Sequence, residues 1–76
     1  MNISLEKEVA EELITYKLRN IQKLIQDILN RWNQISSDEF LEKSKNGEYS
    51  ESENDAIDLK QLLFEEKKLL DLLSQI

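Results

Sequence analysis

The chain has 76 residues, a net charge of −6, one glycine (Gly47), and no cysteine, histidine or proline. A chain of this length forms a single domain, residues 1–76, with a small core; it lacks the thiols for a disulfide or zinc site and the imidazole that is the commonest general base, so no metal or cofactor is expected. Its longest apolar run is Leu62-Leu63-Phe64, against the roughly 18 residues a membrane span needs, and the N-terminus reaches Glu6 without the basic start and apolar stretch of a signal peptide, which predicts a soluble cytoplasmic protein that does not engage a membrane.

A first long helix is predicted from about Ser4 to about Ile35, roughly 32 residues and about 48 Å. Ser4 supplies an N-cap hydroxyl, and Glu6, Glu8, Glu11 and Glu12 follow near the positive end of the dipole. The seam Ile14, Leu18, Ile21, Ile25, Ile28, Trp32, Ile35 steps alternately by four and three. That heptad spacing keeps one stripe against a partner helix, and Leu24 and Leu29 widen it. Trp32 is expected to be mostly buried near the turn, among Ile35, Phe40 and Leu59. Leu5, Val9 and Tyr16 make a secondary stripe. Asp27 and Arg31 have the i,i+4 spacing of an ion pair, whereas Lys17, Arg19 and Lys23 share no single face and read as solvated charge.

Ser36-Ser37-Asp38-Glu39 marks a stop and restart. Ser36 with Glu39 matches a capping box, which predicts a short helix from Ser37 to Lys43. Its Phe40 and Leu41 are placed to cover the end of the hairpin near Trp32 and Ile35. Asn46-Gly47 is the strongest turn signal, since both residues tolerate positive φ.

A second long helix is predicted from Glu53 to Ser74, with Ser52 as its N-cap. Its stripe is Ala56, Leu59, Leu62, Leu63, Leu69, Leu70, Leu73 and Ile76. Glu66 falls in the middle of that stripe. It reads as a carboxylate that reaches solvent at the seam edge or pairs with Lys17 or Lys7; the sharper alternative is a buried polar residue that sets register. Ile57 and Phe64, seven apart, lie roughly opposite the stripe. They are either scattered surface residues, which are normal, or a second contact surface.

Between Asp38 and Asp58 eight acids face only Lys43 and Lys45, and this segment carries the whole net charge. The resulting acidic end, including Glu51, Glu53, Asp55 and Asp58, suits a basic protein surface and repels phosphate, so direct nucleic-acid binding is not expected. The acids do not follow the order of an EF-hand loop.

These elements predict an all-α antiparallel helical hairpin, two long helices plus a short connecting one. Two stripes cannot enclose a core between them, and the simplest cover is a second copy, giving a homodimeric four-helix bundle. No nucleophile–base pair, metal cluster or phosphate loop is recognisable. The expected function is therefore that of a small non-enzymatic interaction protein, antitoxin-, inhibitor- or adaptor-like, presenting helix faces or its acidic end to a protein partner. The alternative is a structural subunit that builds higher oligomers.

Overall fold

A computed structural model describes residues 3–49 and 51–76, with side chains from residue 6 onward. Three helices make up the described chain: α1 (Ile3–Arg31), α2 (Ser37–Lys45) and α3 (Glu53–Gln75). Of the described residues 83% are helical, and none lies in a strand. α1 and α3 pack against each other as an antiparallel hairpin, and α2 packs on α3 at the turn end. The result is a rod of 55 × 18 × 18 Å. No described helix is long and apolar enough to cross a membrane.

The hairpin register follows the heptads. Lys17 shares a groove with Leu69, Leu24 shares one with Leu62, and Arg31 hydrogen-bonds Asp55. Each step of seven up α1 is matched by a step of seven back along α3. On this register Ile76 comes opposite position 10, so the first turns of α1 run past the end of α3, and residues 6–9 are accordingly exposed. α1 already includes Ser4, which is therefore not its N-cap as expected; the Leu5 end of the secondary stripe lies outside the described side chains.

α1 ends four residues before the predicted Ile35. Asn33 adopts φ 55°, its amide donates to the Asn30 carbonyl, and the Gln34 amide donates to the Leu29 carbonyl at 2.8 Å. This is a Schellman termination with asparagine in the left-handed position. The chain therefore leaves helical phase before Ile35, which is 95% exposed rather than on the seam. α2 ends the same way. Gly47 takes φ 76°, and Glu48 donates to the Lys43 carbonyl while Gly47 donates to that of Ser44. Ser36 caps α2 as its spacing predicts, with Oγ accepting from the Glu39 amide.

The core consists of Leu18, Ile21, Ile25, Ile28 and Leu29 from α1, Phe40 from α2, and Leu59 and Leu69 from α3. Ile14, Trp32, Leu62, Leu63 and Leu73 are partly buried against it. Leu70 departs from the expected seam. It is 46% exposed, because it lies on the flank of α3 that α2 covers only further back, where Leu41 meets Ala56, Ile57 and Lys60. Ser52 precedes α3 but does not cap it with its side chain. Its hydroxyl turns inward, fully buried, to share a 2.6 Å hydrogen bond with Ser44 Oγ and donate to the Tyr49 carbonyl. Glu51, at φ 66°, makes the bend that turns it in.

Candidate functional site

Two features stand apart from the plain hairpin. The first is a clamp at the turn end. Because α1 stops at Arg31 and turns through Asn33, Trp32 points across to the first turn of α3. Its indole N–H donates to Asp55 Oδ2 at 2.7 Å, while Arg31 Nη1 donates to both oxygens of the same carboxylate at 3.0 and 2.9 Å. The expected Asp27–Arg31 pair is therefore replaced, since Arg31 takes a partner already fixed by the tryptophan. Trp32 is half-buried rather than mostly buried, as its polar edge faces this carboxylate. Its ring packs at 6.0 Å from Phe40 and 5.5 Å from Tyr49. Tyr49 Oη accepts from Gln34 Nε2 at 2.6 Å, and Lys43 Nζ lies 5.9 Å above the tyrosine ring.

The Asp55 carboxyl is held below its ordinary value of 3.8, first by the Trp32 hydrogen bond, with burial opposing and the Arg31 hydrogen bond and charge adding to it. A carboxylate kept ionised and accepting three hydrogen bonds is poorly matched to proton transfer near neutrality; its chemistry is that of a clamp. A group whose pKa is lower folded than unfolded contributes stability above the unfolded value and loses it as pH falls through the folded one. The clamp should thus be intact near neutrality and weaken as pH drops below the ordinary carboxylate range. Asp55→Ala should destabilise by about 1.5–3 kcal/mol, the range for hydrogen bonds to a charged group, and should flatten the stability–pH curve below pH ~4. Urea midpoints of the two proteins across that range test this, and an unchanged curve would refute the assignment.

The second feature is an open groove along one side of the α1–α3 seam. None of its lining comes from α2, which sits on the other side. Nearer the turn the groove has a volume of 370 Å³, with Leu24, Ile28 and Leu62 on its floor and Asp27, Asp58 and Glu65 along its rims. Nearer the free ends it continues as 190 Å³ lined by Lys17, Glu65, Lys68, Leu69 and Leu72. Leu24 is 43% and Leu72 42% exposed. On the same register Leu13, exposed in α1, comes level with Leu72. Leu13, Leu72 and Lys68 stood out in neither predicted stripe, because they flank the seams and are brought together only when both helices are in place.

Of the other predicted contacts, Asp55 and Asp58 belong to the groove lining, whereas Ile57, Phe64, Glu51 and Glu53 do not. Ile57 and Phe64 are exposed on the outer side of α3, and Phe64 is not among the residues packed against the core. Val9 and Tyr16 are exposed on α1. Glu51, Glu53 and Asp58 are exposed at or beside the turn end, while Asp55 is occupied by the clamp. Glu66 is half-buried and takes part in no ion pair with Lys7 or Lys17 among the described residues, where the pair observed is Arg31–Asp55. No three acids among the described residues are grouped as metal ligands. Protein-family models, curated proteins and solved structures, all compared with the chain, give no match.

Proposed function

We propose that this protein is a small non-enzymatic interaction module, a helical hairpin that pairs with a second copy and presents its acidic end to a basic protein surface. The observation that carries the reading is the uncovered apolar groove. Leu24 and Leu72 are each more than 40% exposed, and with Leu62 they line one side of a rod only 18 Å thick. Apolar surface gathered on one side, rimmed by charge, marks an interaction face rather than the scattered exposure normal for a monomer. Pairing two such faces makes the antiparallel four-helix bundle that a lone hairpin lacks. It leaves the exposed acids of the turn free to steer a partner of opposite charge, in the manner of an antitoxin, inhibitor or adaptor.

Folding and pairing are then linked, so the melting temperature should rise with protein concentration. Sedimentation equilibrium should give a dimer that does not grow further. A stable monomer at micromolar concentration, with a concentration-independent Tm, would overturn the reading. The exposed Ile57–Phe64 pair supports a second reading, a structural subunit that stacks dimers through the outer side of α3. Species larger than a dimer that disappear in Phe64→Ser would favour that alternative.

A further inference from the structure

Apart from Glu65 near its middle and the Arg31–Asp55 pair at the turn, the charges of the groove are divided in a way that specifies how a second copy must lie. In the hairpin register Lys17 of α1 and Lys68 of α3 sit at the same level. Asp27 of α1 and Asp58 of α3 also sit at a shared level, ten residues nearer the turn. A face-to-face pairing about an axis parallel to the rod would lay α1 on α3 at equal levels. Lysines would then meet lysines and aspartates would meet aspartates. An axis across the rod lays α1 on α1 and α3 on α3 in opposite directions, and every one of these charges meets its opposite.

The same two positions locate that axis. The midpoint of Lys17 and Asp27 is position 22, and the midpoint of Lys68 and Asp58 is position 63. With Leu24 opposite Leu62, position 22 comes opposite position 64. The two midpoints thus agree to one residue, about 1.5 Å along a helix, and a single twofold satisfies both pairs.

We propose that the groove binds a second copy antiparallel about a twofold axis crossing the rod at positions 22 and 63, with Lys17 meeting Asp27 and Lys68 meeting Asp58 of the other copy. The assignment rests on the self-association proposed above and adds its face, direction and register. Leu24 and Leu62 close over the axis and Glu65 lies beside it. All four neighbouring helix pairs of the resulting bundle are antiparallel, the up-down-up-down arrangement. An isologous interface repeats each contact, so the two ion pairs become four. Exposed pairs add little affinity singly; their effect here is to select one orientation by penalising the other.

A charge-swap experiment tests the proposal. One variant carries Lys17→Glu with Lys68→Glu, the other Asp27→Lys with Asp58→Lys. All four side chains are exposed, so both variants should keep their helical circular dichroism. Each should self-associate at least tenfold more weakly than the wild type, about 1.4 kcal/mol, and an equimolar mixture should recover the wild-type affinity as a heterodimer. The weakening should diminish in 1 M salt, where the Debye length is about 3 Å. As a check that needs no variant, zero-length carbodiimide coupling of mixed light and heavy-nitrogen chains should join Lys17 to Asp27 and Lys68 to Asp58 between copies. A wild-type dimer whose variants each self-associate as tightly as the wild type, or whose cross-links join equal levels, would overturn the register and leave self-association standing. A wild-type monomer would remove both.

Discussion

Phe40→Ala is expected to destabilise the protein by about 3–5 kcal/mol, the range for emptying an aromatic core site. Phe40 is 0% exposed and is the buried residue of α2, a helix of only 9 residues. Such a helix is unstable alone and is held by packing. The phenylalanine ring lies 6.0 Å from Trp32 and 6.2 Å from Tyr49, so its loss opens the aromatic cluster from beneath and detaches α2. Aromatic pairs contribute about 0.5–1.5 kcal/mol beyond area burial, and two are removed at once. A domain of this size has a total stability of about 4–11 kcal/mol on the usual per-residue scale. The variant should therefore unfold at a much lower urea concentration and show red-shifted Trp32 emission before the main transition. A loss below about 1 kcal/mol, small against that range, would mean that α2 is not part of the core.

The fold was legible because one physical rule, the heptad seam, governs most of the chain. Leu18, Ile21, Ile25, Ile28, Leu59 and Leu69 are buried as their spacing requires. The local signals Ser36–Glu39 and Asn46-Gly47 bound α2, which starts at the predicted Ser37 and runs to Lys45, two residues past the predicted Lys43. The misplacements of Trp32 and Ile35 share a cause. Trp32 and Ile35 continue the seam in sequence, so periodicity alone carries the first helix to Ile35. What ends it is Asn33 adopting the left-handed conformation, which asparagine tolerates without requiring. Once Asn33 turns, Ile35 is expelled and Trp32 swings toward α3.

The two candidate sites were less legible because each is made from distant residues. Trp32 and Asp55 stand 23 positions apart, and no local pattern says that an indole N–H will meet that carboxylate rather than water. The i,i+4 rule assigned Arg31 to Asp27, yet such a pair contributes only about 0.2–0.5 kcal/mol, and a carboxylate already oriented by a hydrogen bond competes well against it. Ser52 has the residue type of an N-cap, but its buried hydroxyl finds a partner in the half-buried Ser44 instead. The groove charges show the same limit. Lys17 and Lys68 belong to different helices and become neighbours only through the register, so neither stripe considered alone could indicate that they line one groove.

Ile25→Asp should leave the chain largely unfolded near neutral pH. Ile25 is 8% exposed and lies in the middle of the α1 seam, so it belongs to the core of the hairpin itself. Removing its side chain costs about 2–5 kcal/mol, and an unpaired buried carboxylate adds several more. Their sum matches or exceeds the whole stability expected of so small a domain. Acidification should partly restore helix, because burial raises the pKa of the introduced carboxyl and protonation removes its charge. Leu24→Asp is the paired control. It lies one residue earlier and about 100° around the helix, on the open groove, and is 43% exposed. Its helical signal should persist while association weakens. Circular dichroism and sedimentation on the two proteins separate the inner seam from the outer face: loss of fold in Ile25→Asp and loss of pairing alone in Leu24→Asp. A folded Ile25→Asp monomer would place Ile25 between copies and require a different hairpin packing.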